Sequence, residues 1–224
     1  MVDVDYFKII DISQPVDKTT ACFPGDTPYT YDVMASFADT KCYSVTAFKM
    51  SPHVGTHADA AAHVKDKMDK YSTVGALSLE PFIGPCDVVD LSGVKGEISL
   101  NQLKSKLADF MTERLLIRTR VVCRYDVFEH NNAYLSVECV RYLAGKGVKL
   151  IGVDNASVDA TDSKTLPIHH ALIAHKISWL ENLDLTHAPE GKYFLSALPL
   201  KLIDLEAAPV RAVLLTMATP QNVK

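Results

Sequence analysis

The chain lacks any cysteine arrangement that would indicate a disulfide framework or a cysteine-based zinc site. Its five cysteines are odd in number and widely spread, and no two have the C-x-x-C spacing. The first residues, M-V-D-V-D-Y-F, contain no basic segment followed by an apolar run, so no secretory signal is predicted. The expected compartment is therefore a reducing cytoplasm.

Long apolar runs and blocks of one charge sign are also missing. No stretch approaches the roughly 18 apolar residues that a membrane span needs. The 224 residues have a formal net charge of −4 and no basic block, so we expect neither nucleic-acid binding nor membrane insertion. A hydrophobic fraction of 48% and a charged fraction of 22% are typical of a globular protein.

The order of apolar segments predicts a mixed α/β fold in which strands outnumber helices. No repeat or Pro/Gly/Ser-rich linker divides the chain, so we expect one domain over residues 1–224. Short β-branched or aromatic runs predict strands at 7–12, 43–50, 86–91, 114–119, 149–154, 193–198 and 210–215. Helices are predicted at 99–107, 136–147 and 167–175, the first with a capping-box pattern and the last with proline in its first turn.

The segment S-P-H-V-G-T-H-A-D-A-A-A-H-V, residues 51–64, concentrates groups that bind metals. His53, His57, Asp59 and His63 fall within eleven positions, and the residues between them are small. A single histidine is usually an ordinary surface or core residue, and four such groups on a solvated loop would be separated by Lys, Glu and Ser. Burying them without partners would be costly. The cluster therefore indicates a metal site.

Geometry restricts how this segment can fold around one ion. A straight strand would leave His53 and Asp59 about 20 Å apart, whereas ligand atoms lie ~2 Å from a zinc ion. A regular helix would turn Asp59 away from the histidines. The chain must therefore bend, and Gly55 gives the freedom to do so. The donor set suits zinc, manganese or iron at an open site. His63 is either a fourth ligand or a nearby acid/base group.

Several stretches together resemble one family. H-V-G-T-H-A-D-A-A-A-H at 53–63 resembles the H-x-G-T-H-x-D-x-P-x-H signature of the cyclase-type metal-dependent hydrolases, and within that group it is most similar to bacterial kynurenine formamidases (arylformamidases). The stretches F-P-G-D-T-P (23–28), G-V-D-N-A-S-V-D (152–159) and S-K-T-L-P-I-H-H (163–170) fit as well, as do the segments at 77–86 and 198–214. One position departs from the signature, because the family proline is Ala61.

The resemblance implies a fold, an activity and a role for each matching residue. The fold would be the swivelling β/β/α type, and the subunits would form a homodimer. Two divalent ions, Zn²⁺ or else Mn²⁺ or Co²⁺, would assist hydrolysis of N-formyl-L-kynurenine to L-kynurenine and formate, a step of tryptophan degradation. The implied metal ligands are His53, His57, Asp59, His169 and Glu181, with both carboxylates bridging. The resemblance makes His63 the catalytic acid/base and places Phe23 against the aromatic ring of the substrate.

This assignment makes a structural demand on residues 167–183. A continuous helix from His169 to Glu181 would hold its ends about 18 Å apart, whereas paired ions lie only ~3.5–4 Å apart. We therefore predict that the helix ends near His175 and that the chain returns as a strand through Glu181. Two alternatives remain open: a related hydrolase of isatin or another cyclic or acyl amide, and a metal-binding protein without catalysis.

Overall fold

A computed structural model of the chain describes residues 7–65, 69–107 and 112–217. Its strands are β1 Phe7–Asp11, β2 Thr30–Ala35, β3 Val45–Lys49, β4 His57–Asp59, β5 Ile83–Asp90, β6 Gly96–Ile98, β7 Arg114–Arg118, β8 Ala133–Leu135, β9 Leu150–Val153, β10 Ser178–Glu181, β11 Gly191–Ser196, β12 Ala207–Pro209 and β13 Val213–Met217. Its helices are α1 Phe37–Thr40, α2 Leu100–Lys106, α3 Val137–Gly145 and α4 Pro167–Ala174. Within these ranges, no helix is both long and apolar enough to cross a bilayer.

One mixed sheet organises the fold, in the order β1-β13-β11-β5-β7-β9-β10-β4-β12. Strands β5, β7, β9 and β10 run parallel to one another, and the strands on either side of this group pair antiparallel. The sequences R-L-L-I-R of β7 and L-I-G-V of β9 are almost wholly buried, as expected for parallel strands covered on both faces. The carboxyl ends of β7, β9 and β10 therefore meet at one edge of the sheet.

Each face of the sheet has its own apolar core. Because side chains alternate along a strand, Leu116 and Ile117 of β7 face opposite sides. Ile117 packs with Leu103, Leu143 and Leu172 of helices α2, α3 and α4. Leu116 packs on the other face in a cluster that includes Ile12, which follows β1, Leu180 of β10 and Leu214 of β13.

The helix boundaries follow from local chemistry. The Ser99 hydroxyl accepts from the Gln102 backbone N–H and the Gln102 side chain accepts from the Ser99 backbone N–H, which completes the predicted capping box of α2. Ser136 is the N-cap of α3, and its hydroxyl accepts from the Cys139 backbone N–H. Pro167 opens α4, where its missing N–H costs nothing.

The sequence-based expectations for the fold are largely confirmed. Each of the seven predicted strands and three predicted helices is present, within a mixed fold in which strands predominate. Five strands were not predicted: β2, β4, β6, β8 and β12. Four of these have only three residues, too few for an alternating pattern to be visible.

Candidate metal centre

The first ligand segment bends where the sequence predicts it. Gly55 has φ +70°, and a Cβ there would lie 2.7 Å from Val16 Cγ2, so the position requires glycine for both conformation and space. The bend leads into β4, which places His57 and Asp59 on one face of the sheet. His53 Nδ1 then lies 3.2 Å from His57 Nε2 and 3.1 Å from Asp59 Oδ1, and His57 Nε2 lies 3.2 Å from that same oxygen.

The second segment, which contains His169 and Glu181, reverses direction between these two residues. Helix α4 ends at Ala174, Lys176 adopts φ +56°, and β10 then runs back to Glu181. Strand β10 pairs antiparallel with β4, with Glu181 opposite His57. The prediction that the helix ends near His175 and returns as a strand is confirmed. Glu181 Oε2 lies 3.4 Å from His57 Nε2, and Oε1 lies 3.5 Å from His169 Nε2.

The two carboxylates divide their oxygens between two groups of donors. Asp59 Oδ1 faces His53 and His57, while Oδ2 lies 3.8 Å from His169 Nε2. The two oxygens of Glu181 are divided in the same manner, because Oε2 lies near His57 and Oε1 near His169. The five side chains thus outline two adjacent subsites, and each carboxylate has one oxygen toward each of them.

Two buried atoms in this cluster are unsatisfied. Asp59 Oδ1 and His169 Nε2 are inaccessible to solvent, yet neither forms a hydrogen bond with any residue in the described ranges. Leaving buried polar groups unpaired costs about 1–3 kcal/mol each. The surrounding donors are imidazole nitrogens and carboxylate oxygens without thiolates, a set that suits zinc, manganese or iron. The residues therefore fit divalent cations, which would satisfy both atoms.

Neighbouring groups fix the orientation of two imidazoles in the cluster. His57 Nδ1 lies 2.9 Å from the Gly55 carbonyl, which can only accept, so Nδ1 carries a proton and Nε2 is the nitrogen that faces Asp59 and Glu181. His169 Nδ1 lies 2.7 Å from Asp159 Oδ2 and is held in the same way. Asp159 also accepts from the backbone N–H groups of Ile168 and His169 at the start of α4.

The carboxylates of Asp59 and Glu181 are likewise held by hydrogen-bond donors that were not predicted from the sequence. The Trp179 indole donates to Asp59 Oδ2 at 3.1 Å, and the Val158 backbone N–H donates to Glu181 Oε1 at 2.8 Å. Glu206 Oε1 lies 3.4 Å from His53 Nε2. Trp179 lies two residues before Glu181 in the sequence, but its contact with Asp59 could not be predicted, because only the pairing of β10 with β4 brings the indole there.

The electrostatics of the cluster favour positive charge. Burial lowers the pKa of His57, but Asp59 and Glu181 outweigh it and raise that pKa to about 10. For His169, burial is outweighed by Asp159, Asp59 and Glu181, and the pKa rises to about 11. Although burial opposes it, the histidines hold the pKa of Asp59 well below its usual value. Metal ions compete with protons for the same lone pairs, so the preference fits a cation site.

His63 lies beside the two subsites on a short 3-10 turn, Ala61–Val64. Its ring centroid is 4.5 Å from that of His53 and 5.4 Å from that of His169. Burial lowers the pKa of His63, and the ring is partly exposed to the adjoining cavity. Ala61, which replaces the family proline, does not prevent the turn, because the Ala62 backbone N–H donates to Ser72 O and that of His63 to Ala60 O.

A cavity of about 420 Å³ opens from the candidate metal centre and is lined by His53, His63, His169 and Glu181. Phe23, predicted to face a substrate ring, lines this cavity and is 41% exposed. Phe128, which the sequence did not single out, packs edge-to-face against Phe23 with centroids 5.1 Å apart. The volume is within the usual range for a small-molecule site, and its aromatic wall suits a planar ring.

The fold and the clustered ligands define a class of cyclase-like hydrolases. The Cyclase family model matches residues 10–160, and the chain belongs to this family. It is similar to the kynurenine formamidase of Bordetella pertussis, with 38% identity over 94% of this chain and 99% of that protein. Its identity to the kynurenine formamidase of Paracidovorax citrulli is 41%, over 93% of this chain and 96% of the relative.

Solved structures show the same architecture. A predicted metal-dependent hydrolase from Bacillus stearothermophilus superposes with a TM-score of 0.78 at 25% identity, over 93% of this chain and 98% of that one. Isatin hydrolase A from Labrenzia aggregata superposes with a TM-score of 0.81 at 20% identity, over 94% of each chain. The predicted cyclase-like fold is confirmed, and the second likeness concerns the fold alone.

Proposed function

We propose that the protein hydrolyses N-formyl-L-kynurenine to L-kynurenine and formate, as an arylformamidase. The observation that carries the proposal is the meeting of two distant segments around shared carboxylates at the floor of an aromatic-walled cavity. Relatives named kynurenine formamidase, which align over nearly the whole chain, support it. The reaction would be a step of tryptophan degradation.

We propose that His53, His57 and Asp59 bind one divalent ion and that His169 binds a second, with Asp59 and Glu181 bridging the two. The shared oxygens of Asp59 and Glu181 and the unsatisfied Asp59 Oδ1 and His169 Nε2 support this count. Zn²⁺ is the ion we favour, with Mn²⁺ or Co²⁺ as alternatives, since the donor set accepts all three. When bound, the ions would supply Lewis acidity and lower the pKa of water toward neutrality.

Side chains of this protein would carry out the proton transfers and bind the aryl ring. His63 would accept a proton from the attacking water and return it to the amide nitrogen as that nitrogen leaves. Its position beside both subsites, with one side open to the cavity, supports this role. A ring nitrogen of His63 also lies within 4.8 Å of ligand atoms of Asp59 and His169, so the metal content of H63A protein has to separate this role from that of a ligand. Phe23 and Phe128 would pack against the aryl ring and exclude water from its faces.

We also propose that two copies form a homodimer through the hairpin of β2 and β3. In the described part of the chain this hairpin pairs with no other strand. Its large exposed side chains are Tyr31, Val33, Met34, Phe37, Tyr43, Val45 and Phe48. An apolar surface of this kind is typical of a protein interface.

Sedimentation velocity should give the dimer mass for the wild-type protein. V33K places a charge on this surface and should shift the mass toward that of the monomer. A monomeric wild-type protein would contradict the proposal.

We place the enzyme in the cytoplasm. The five cysteines are unpaired, and one of them, Cys42, is exposed. A reducing compartment maintains thiols in this state.

Formate release is the experiment that tests the activity. Purified protein loaded with Zn²⁺ is assayed with N-formyl-L-kynurenine and, in parallel, for ring opening of isatin. We expect faster turnover of the formamide. A preference for isatin would favour the related amide hydrolase suggested by the fold of isatin hydrolase A. Metal-loaded protein that is inert toward both would favour a metal-binding protein without catalysis.

A further inference from the structure

One wall of the cavity carries charges that the hydrolysis itself does not use. Arg120 and Glu129 both line the cavity, and Arg120 Nε lies 3.3 Å from Glu129 Oε2. Arg120 follows β7, whereas Glu181 ends β10, and β9 lies between these strands. Two strand spacings correspond to roughly 10 Å along the sheet edge. The charged pair and the candidate metal centre therefore line one cavity from strands about this far apart, a span that an aromatic ring with a short side chain can bridge.

Arg120 is held rigidly but its donors are only partly used. Its side chain is 10% exposed. Nε donates to Asn155 Oδ1 at 3.1 Å, and the backbone N–H of Arg120 donates to Asp154 at 2.9 Å. Across the ranges that the structure describes, Nη1 and Nη2 make no hydrogen bond. Guanidinium groups present paired donors that match a carboxylate, so the unused pair favours an anionic ligand.

A buried hydrogen-bond network holds the residues that contact Arg120. Asn155 donates through Nδ2 to Thr119 Oγ1 at 2.9 Å and to the Ala133 carbonyl at 2.8 Å. The Asp154 carboxylate accepts from the Thr119 backbone N–H at 2.9 Å and from its hydroxyl at 2.6 Å. Because both ends of Arg120 are fixed before a ligand arrives, little conformational entropy is lost on binding.

A second arginine in the cavity is less suited to the same task. Arg124 lines the cavity, but its side chain is 57% exposed and its guanidinium already contacts the Asp126 carboxylate through Nε and Nη2. A ligand carboxylate would have to displace Asp126 in a solvent-screened setting, where ion pairs contribute little. The geometry therefore favours Arg120.

We infer that Arg120 and Glu129 form a subsite for the α-amino acid end of the substrate, with Arg120 binding the carboxylate and Glu129 the ammonium group. This inference rests on the proposed function and extends it to specificity. A zwitterionic amino acid next to the reacting formanilide would be selected by the charged pair. A neutral aryl formamide would gain nothing from it.

Three substrates separate the contributions: N-formyl-L-kynurenine, N-formylkynuramine, which lacks only the carboxylate, and 2-formamidoacetophenone, which lacks the whole amino acid. The zinc-loaded wild-type enzyme should prefer the first over the second by on the order of 10- to 100-fold in kcat/KM. R120Q should abolish most of that preference, mainly through KM, and R120K should restore part of it. E129Q should reduce the preference of the enzyme for N-formylkynuramine over 2-formamidoacetophenone.

Two controls keep the outcomes distinct. R124Q removes a neighbouring charge from the same cavity, and R211Q removes an exposed arginine paired with Asp11; both should retain the wild-type preference. An unchanged preference in R120Q, or its loss in R124Q instead, would overturn the subsite while formate release continued. If R120Q fails to fold, equal wild-type kcat/KM for N-formyl-L-kynurenine and N-formylkynuramine would also overturn it. No formate from any substrate would overturn the proposed function together with the subsite.

Discussion

The two ligand segments are built in different ways. In the first, His53, His57 and Asp59 lie within seven residues, and one glycine bend followed by a three-residue strand brings them together. In the second, His169 and Glu181 belong to a helix and a strand that run in different directions. Their meeting depends on the pairing of β10 with both β9 and β4. Short-range chemistry therefore produces the first subsite, and sheet topology produces the second.

Because of this difference, the two subsites should respond differently to amino-acid substitutions. The first segment keeps its donors close as long as Gly55 allows the bend. The second has its two residues on different elements, a helix and a strand, and each is held by a residue of the preceding loop: Asp159 orients His169 and the Val158 N–H donates to Glu181. The carboxylates join the two subsites, and so substitutions of a shared and of an unshared ligand should have different effects on metal content.

The largest effect is expected for D59N, which alters the proposed ligand that is common to both subsites. The carboxamide loses the negative charge and one acceptor oxygen, so both ions should be lost. Activity should then fall by about 10⁴-fold, since metal ions contribute several kcal/mol to such reactions. Elemental analysis and formate release would measure both changes. D126N, at an exposed aspartate outside the cluster, is the control, and D59N protein that keeps two ions would contradict a bridging role.

A smaller effect is expected for H169A, which removes a proposed ligand of the second subsite only. One ion should remain, bound by His53, His57 and Asp59. Formate release should fall by about 10³-fold, less than in D59N, because one of the two cations that stabilise the developing negative charge is kept. The neighbouring His170 is exposed on the same helix, so H170A is a matched control that should retain two ions. Loss of both ions in H169A would show that the first segment cannot bind metal alone.

The smallest effect is expected for H63A, which tests whether the first segment contributes a fourth ligand. If His63 transfers protons, both ions should remain and kcat should fall by about 10²-fold, at the lower end of general acid–base contributions. Metal content measured on the same preparation as turnover separates the two roles. An ion lost together with activity would make His63 a ligand instead.

Some of this protein could be predicted because the necessary signals are local. The capping box at Ser99 and Gln102, the proline that opens α4 and the glycine bend at Gly55 are all formed by residues close in sequence. The helix end near His175 was also predictable, because one unbroken helix could not bring His169 to Glu181. The strand β4 was missed, since histidine and aspartate have no preference for strands and its three residues are held by β10 and β12 on either side.

The sequence by itself determined which donors gather in the first segment and where the chain must bend, since spacing and backbone freedom act over a few residues. Only the tertiary structure decided which oxygen of each carboxylate faces which histidine. It also brought the Trp179 indole to Asp59, 120 residues away in sequence, and oriented Arg120 toward the cavity. The physical reason is that hydrogen bonds and strand register join positions far apart in the chain, and composition and periodicity do not encode such pairings.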